Sequence, residues 1–213
     1  MGLKIRSYRF EGEIMLKKLF SIVLVAMLWL TAYGATPLSV DTAHSNVGFS
    51  VPIAGGLAQV TGKFSQFSVN LSFDEKDIAN STVEATIKAD SISTGIAARD
   101  NHLKTADFFD VAKYPEISFK SKKIEKKGKS YMMTGDFSMH GVAKEITFPF
   151  AMVGNCYDRK AQKTTLPCGF SANLKLDRRD YGITYARKDN ADFIGNVIDV
   201  NLNMLAVQPR PAK

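Results

Sequence analysis

Between residues 47 and 206 of this chain, apolar side chains recur at every second position in eight separate runs. Val47, Phe49, Val51 and Ile53 alternate with polar or small residues, as do Phe67, Val69, Leu71 and Phe73, and then Val83, Ala85, Ile87 and Ala89. Ile117 and Phe119 form a fourth run, Tyr131, Met133, Phe137 and Met139 a fifth, and Ile146, Phe148 and Phe150 a sixth. Phe170, Ala172, Leu174 and Leu176 make the seventh, and Ile198, Val200, Leu202, Met204 and Ala206 the last. A β-strand turns successive side chains to opposite faces, so a period of two marks a strand with one buried face. The pattern predicts an all-β domain of eight strands.

Turn formers stand between many of these runs: Asp74-Glu75-Lys76-Asp77, Lys127-Gly128, His140-Gly141, and Asp177 to Gly182. Short connections join antiparallel neighbours. Between Phe64 and Phe67 the inward parity slips by one residue across Ser65-Gln66, which predicts a β-bulge bending a long second strand. Eight antiparallel strands with one apolar face each either stack as two sheets or close into a barrel, and periodicity alone does not separate the two. One segment, Thr94 to Pro115, breaks the rhythm between strands three and four. Ser93 or Thr94 is a candidate N-cap for a short helix starting near Ile96, and Thr105 for a second turn. Phe108-Phe109 makes this connector too apolar for a free loop, so it is expected to fold over the barrel or sheet as a lid or plug.

The 213 residues, 45% hydrophobic and 23% charged, suit one well-buried domain. The formal charge of +7 raises nucleic acid as a partner, but five of the 28 basic and two of the 21 acidic residues lie in positions 1–34, leaving the rest at +4. Phosphate neutralisation needs a concentrated basic stripe, so no nucleic-acid partner is expected. The front of the chain reads as an export signal. Lys17-Lys18 precede the uncharged apolar run Leu19 to Leu30, and small residues follow, with cleavage expected after Gly34. The run is too short to span a bilayer, for which roughly 18 to 20 residues are needed. Met15 gives such a signal an ordinary length and is the expected true start. The organisation expected is therefore a cleaved signal over 1–34, a single domain over 35–213, and a periplasmic location. The one dense basic cluster is six lysines between Lys120 and Lys129, read as a solvated hairpin tip, with docking to anionic lipid as the sharper alternative.

Catalytic patterns are sparse. His44, His102 and His140 are scattered, none at zinc-ligand spacing, and there is no Gly-x-Ser-x-Gly elbow, P-loop or dinucleotide fingerprint. Asp107 and Asp110 bracket Phe108-Phe109 and are candidate acid/base groups. Such residues more often cap turns, and His102 more often hydrogen-bonds within its own connector.

VDTAHSNVGFSV, VTGKFSQFSVNLSFD, RDNHLKTADFFDVAKYPEISFKS, TGDFSMHGVAKEITFPF and DRRDYGI together resemble the YceI-like polyisoprenoid-binding proteins over the whole of residues 35–213. The spaced Asn-His-Leu, Asp-Phe-Phe-Asp and Tyr-Pro-x-Ile-x-Phe string is the most specific part. The resemblance implies an eight-stranded, lipocalin-like antiparallel barrel, in exported bacterial proteins that hold a long isoprenoid or similar amphiphile in an apolar channel and are often dimers. Departures are local: Leu38-Ser39-Val40 stands before Asp41 where many relatives carry an aromatic residue, the loop after the first strand lacks a His, and the insert NCYDRKAQKTTLPC has no family role to carry over.

The interior of an eight-stranded barrel is either filled by side chains or just wide enough for one slender ligand. Candidates for lining such a channel are Phe49, Val51, Phe67, Leu71, Phe73, Ile87, Phe119, Phe137, Phe148, Leu174 and Leu202, with Leu103, Phe108 and Phe109 from the lid. Ala85, Ala89, Gly135, Ala172 and Ala206 are small inward residues. They either leave a channel beside the large ones or are filled by them, and residue types do not decide which. Two functions remain open: a non-enzymatic carrier of a long-chain isoprenoid or similar lipid, with transient membrane contact and no metal or organic cofactor, or a small exported enzyme on such a lipid with His102 and the two Asp as its chemistry.

Cys156 and Cys168 lie in one connector of a chain read as exported, where an intrachain disulfide is expected. Their ring of 13 residues corresponds to about 3 kcal/mol in the chain-entropy model. Thiol titration of the unfolded, unreduced protein is expected to find no thiol; two titratable thiols would end the idea.

Overall fold

The computed structural model describes residues 35–207 apart from 75, 129, 155–156, 159–162 and 165–166. The expected export signal and Cys156 lie outside the described residues. The strands are β1 (Thr36–Val40), β2 (Asn46–Ile53), β3 (Ala58–Phe64), β4 (Phe67–Phe73), β5 (Thr82–Lys88) and β6 (Ile92–Ser93). The helix α1 (Ala97–Leu103) follows, then β7 (Glu116–Lys127), β8 (Ser130–Met139) and β9 (Val142–Val153). A small separate hairpin of β10 (Tyr157–Asp158) and β11 (Lys163–Thr164) precedes β12 (Cys168–Asp177) and β13 (Val197–Val207).

The main sheet runs β1-β4-β5-β7-β8-β9-β12-β13-β2-β3-β6, every pairing antiparallel, and β1 also pairs with β13. That last pairing closes it into a barrel. β1 and β2 occupy one position in the wall, β3 and β4 the next, and β5 and β6 the third, each broken once along its length. Counted by position, the wall has eight staves, as the periodicity predicts.

Each break is stitched. Where β1 passes to β2, the Asp41 N–H donates to the Leu205 carbonyl at 2.9 Å, and the Leu205 N–H donates to Ser45 Oγ at 2.9 Å. The Asp41 carboxylate accepts from Ala43 N–H at 3.0 Å and meets His44 Nδ1 at 2.8 Å, which shapes the turn. The hydrogen bond from His44 holds Asp41 below the usual carboxylate range. The expected bulge at Ser65-Gln66 is the break between β3 and β4, and it faces the 3-10 turn Ala89–Ser91. Ser65 N–H donates to the Ser91 carbonyl and Gln66 N–H to Ser91 Oγ, so one buried serine joins two kinks. Backbone donors freed by a kink and left unpaired in the interior would each cost about 1–3 kcal/mol.

Several boundaries differ from the sequence reading. β1 went unforeseen because only Leu38 and Val40 alternate in it, yet Leu38 is buried. β7 runs through the lysine cluster to Lys127. A register shift between Ser121 and Lys123 restores parity, so Ile124 points inward and is buried while the lysines point out. The cluster is therefore mostly strand, with ion pairs from Lys120 to Glu84 (2.7 Å), from Lys122 to Asp136 (2.6 Å) and Glu145 (3.1 Å), and from Lys123 to Glu125 (2.5 Å). Among the described residues of the cluster, Lys127 and Gly128 stand at the turn into β8. Neither Ser93 nor Thr94 caps α1, whose N-cap is Ile96 with no side-chain bond. Instead the Asp100 carboxylate accepts from both Thr94 N–H (2.8 Å) and Thr94 Oγ1 (2.5 Å). Thr105 does start the second turn, its carbonyl accepting from Phe108 N–H at 3.0 Å and its Oγ1 from Asp107 N–H at 3.4 Å, while its hydroxyl donates to the His102 carbonyl at 2.8 Å.

At the end of β12 the segment Asp177 to Gly182 folds into a 3-10 turn. Asp177 accepts from Arg179 N–H at 2.9 Å, Nε at 3.0 Å and Nη2 at 2.6 Å, and Gly182, at φ 75°, ends the turn. The turn buries Arg178 and Tyr181. The Arg179 hydrogen bonds lower the Asp177 carboxyl from 3.8 to about 2. A depressed carboxylate stabilises the fold above its unfolded value and loses that contribution as pH falls through its folded value. Urea unfolding of the protein and of Asp177→Asn is expected to show the wild-type advantage intact above about pH 4 and gone near pH 2. A difference that does not change across that window would remove Asp177 as the cause.

Candidate functional site

Inward residues of all eight staves surround a cavity of about 510 Å³, within the roughly 300–1,000 Å³ of ligand pockets. It extends from Phe73, Ile124, Phe150 and Phe170 at one end of the barrel to Phe108, Tyr185 and Phe193 at the other. Its lining is almost entirely aliphatic and aromatic. All fourteen residues expected from sequence line it: Phe49, Val51, Phe67, Leu71, Phe73, Ile87, Leu103, Phe108, Phe109, Phe119, Phe137, Phe148, Leu174 and Leu202.

Two glycines show how large rings and open space coexist. The Phe119 ring lies over Gly135, so a Cβ added there would sit 2.6 Å from Phe119 Cζ. The Phe49 ring covers Gly62 in the same way. Rings laid flat on a wall that lacks side chains fill the wall and spare the centre. Ala206 and Ala89, by contrast, are packed over by neighbours, at 0% and 1% exposed. Both outcomes left open by residue type occur, at different positions.

The lid covers one end. Phe108 is buried with Val47, Phe64, Ile117, Tyr181 and Ile183, and Phe109 sets its ring edge-on to Phe64 at 5.8 Å. Phe108 also meets Tyr185 at 4.8 Å and His102 at 5.1 Å between ring centroids, and the latter two rings lie 5.2 Å apart. The backbone of the lid folds back on itself through Phe109 N–H to the Leu103 carbonyl and Asp110 N–H to that of Thr105.

The three histidines sit at separate places. His102 Nε2 meets Asp107 Oδ2 at 2.8 Å within the lid, and His102 lines the cavity. His140 Nδ1 meets the Tyr181 carbonyl at 3.0 Å, and His44 belongs to the Asp41 turn. Asp110, at φ 45°, accepts Lys113 and Tyr114 N–H on its carbonyl, which makes it a turn residue. Among the described residues no three His, Cys, Asp or Glu gather as a metal site would. Cys168 is buried on β12, opposite Ala206 of β13.

Sequence reasoning missed the segment after Gly182. Ile183, Tyr185, Arg187, Phe193 and Ile194 all line the cavity beside the lid. The segment is tied down by Arg178, whose Nε donates to the Gly195 carbonyl at 3.2 Å, Nη1 to that of Ile183 at 2.9 Å and Nη2 to that of Ile194 at 3.4 Å. Burial pulls Arg178 below the usual arginine range while the nearby Asp177 charge opposes that pull. An arginine remains protonated under such shifts. Arg187 pairs with Asp189 and sets its guanidinium 4.4 Å from the Phe193 ring centre. Clusters of Arg and aromatic residues in DRRDYGITYAR were the available signal.

Comparison with known proteins agrees with this architecture. The YceI-like domain family matches residues 38–206. A UPF0312 protein of Vibrio parahaemolyticus is 36% identical over 173 residues, spanning 79% of this chain and 89% of that one. The crystal structure of Burkholderia cenocepacia BcnA superposes with a TM-score of 0.69 at 22% identity, covering 79% of this chain and 99% of that one. A polyisoprenoid binding domain from Saccharophagus degradans, implicated in plant cell wall breakdown, superposes at 0.62 and 16% identity, over 82% of this chain and 99% of its own. With the closed barrel, the lid and the motif residues all in place, this chain belongs to the YceI-like domain family.

Proposed function

We propose that this protein is an exported, non-enzymatic carrier that holds a long-chain isoprenoid or similar amphiphile in the barrel. The observation that carries the reading is the cavity of about 510 Å³ running between the barrel ends with an almost wholly apolar lining. Burying a hydrocarbon chain there contributes about 0.8 kcal/mol per methylene-sized group before ordering costs, so a few isoprene units supply strong, non-directional retention. The fold shared with the polyisoprenoid binding domain from Saccharophagus degradans supports the same class of ligand. The reading includes a signal at 1–34 removed on export to the periplasm, a Cys156–Cys168 disulfide, transient contact with a membrane, self-association as a dimer, and no cofactor beyond the bound lipid. The paired lysines of β7 favour a solubilising role for that cluster over membrane docking, since Lys120, Lys122 and Lys123 already face acidic partners.

A second reading, an enzyme acting on the same lipid, is favoured by the contact between His102 and Asp107 at the cavity edge. Organic extraction of the purified protein followed by lipid mass spectrometry separates the two. A co-purifying, unmodified prenyl or similar lipid supports the carrier. Conversion of an offered lipid that is lost in His102→Ala supports the enzyme.

If Phe108 and Phe109 close the channel, replacing both with Ala opens a leak. The expected outcome is an increase in ligand off-rate, measured by stopped-flow transfer to vesicles, that exceeds the loss of fold stability. Phe→Ala in a packed core costs about 3–5 kcal/mol. Unchanged release with a large fall in melting temperature would make the pair core and not lid.

A further inference from the structure

The cavity lining carries charge of one sign at one end. Among its lining residues are three arginines, Arg99 of α1, Arg178 of the 3-10 turn and Arg187 of the segment after it, and no Asp or Glu among those described. All three enter from the lid end, where His102 and Tyr185 also line the wall. At the opposite end the lining is Phe73, Ile124, Phe150 and Phe170.

Arg187 has a carboxylate partner in Asp189. The other two have none within ion-pair distance among the described residues, although Asp177 acts on Arg178 as a nearby charge and Asp100 lies beside Arg99 across the Thr94 hydroxyl. Arg99 spends Nε on Thr94 Oγ1 at 2.7 Å and Nη2 on the Thr94 carbonyl at 2.9 Å. Arg178 is 95% buried by its 5% exposure, and its three hydrogen bonds all go to backbone carbonyls. A guanidinium has five N–H donors, so two of those on Arg178 are left over. Tying down the segment after Gly182 accounts for the donors used, but a neutral amide would serve carbonyls without bringing a charge into an apolar chamber. An unpaired buried charge is costly unless a counter-charge reaches it. Planar guanidinium groups match oxyanions of carboxylate and phosphate geometry.

We propose that the lid end of the cavity is a headgroup subsite, in which Arg99 and Arg178 receive an anionic oxygen group, carboxylate or phosphate, of an amphiphile whose tail lies toward Phe73, Ile124, Phe150 and Phe170. The inference rests on the carrier reading and adds to it the charge and the direction of the ligand. Arg99 holds the outer side of the subsite on the lid, so opening the lid withdraws one of the two cationic contacts as it uncovers the chain.

The test compares farnesyl phosphate, palmitate and farnesol below their aggregation limits, each measured by displacement of uncharged N-phenyl-1-naphthylamine from the delipidated protein. At low salt the wild type is expected to bind both anionic probes at least about tenfold tighter than farnesol, as desolvated charge-assisted contacts allow. Arg99→Gln is expected to weaken binding of the anionic probes severalfold more than binding of farnesol, and Arg99→Lys to restore part of the preference. Because Arg178 anchors the adjacent segment, Arg178→Gln is read only alongside its circular dichroism and melting curve, and the Arg99 pair carries the test. Preference for palmitate alone or for farnesyl phosphate alone assigns the subsite to that head. Equal affinity for charged and uncharged probes, or an Arg99→Gln loss shared equally by farnesol, overturns the headgroup subsite while leaving the carrier reading standing. Failure of all three probes and of N-phenyl-1-naphthylamine to bind overturns the carrier reading, and the subsite with it.

Discussion

β13 pairs along one edge with β12, from Cys168↔Ala206 to Asp177↔Val197, and along the other with β2 and then β1. This double engagement turns a sheet into a closed wall. An open sheet of these strands would present a row of unpaired N–H and C=O groups at each edge. Closure removes them, and it gathers eight apolar faces around a single axis. Other features follow from that enclosure: the three broken staves bend the wall, Ser91 and Ser45 satisfy the backbone at the bends, and the Phe49 and Phe119 rings find room over Gly62 and Gly135.

The two ends of the barrel are built differently. At one, where β4 leads to β5 and β7 to β8, the lining is the apolar set Phe73, Ile124, Phe150 and Phe170. At the other, long non-β segments pack on each other through the Phe108, His102 and Tyr185 rings, and Arg178 fastens the one after Gly182. Aromatic contacts between connectors are weaker restraints than a strand ladder, so the lid end is where opening is cheapest. It is also where the cationic side chains stand. Between β9 and β12 the pairing covers only Phe150↔Ala172 to Val153↔Gly169, ending beside Pro149, which has no N–H to donate. The wall is thus least tightly laced along the part of the β9–β12 seam that runs toward the lid end.

The DRRDYG segment shows how a short motif acquires several roles at once. Asp177 caps the turn, Arg178 binds three carbonyls, Asp180 pairs with Lys144 at 2.8 Å, Tyr181 is buried against Phe137, and Gly182 takes the left-handed conformation that ends the turn. None of these roles needs the ligand. The Arg178 guanidinium has no carboxylate within ion-pair distance among the described residues and feels Asp177 only as a nearby charge, so it retains the charge that a polar head within an apolar channel would use.

The eight-stave count was legible in the sequence because a half-buried strand needs an apolar residue at every second position. The eleven channel-lining positions on strands were legible for the same reason, since inward parity fixes which side of the wall a residue faces. The lid was legible from the two phenylalanines in a connector. What the sequence left undetermined depends on contacts between segments distant in the chain. β1 is too short to announce itself and exists because β4 and β13 flank it. The parity of Ile124 depends on a bulge whose place is set by pairing with β8. Whether large rings block the channel depended on their lying over Gly62 and Gly135, which no one-dimensional pattern reports. The same holds for the arginines at the lid end: residues 99, 178 and 187 are far apart or irregularly spaced in the chain, and only closure of the barrel brings their side chains to one cavity.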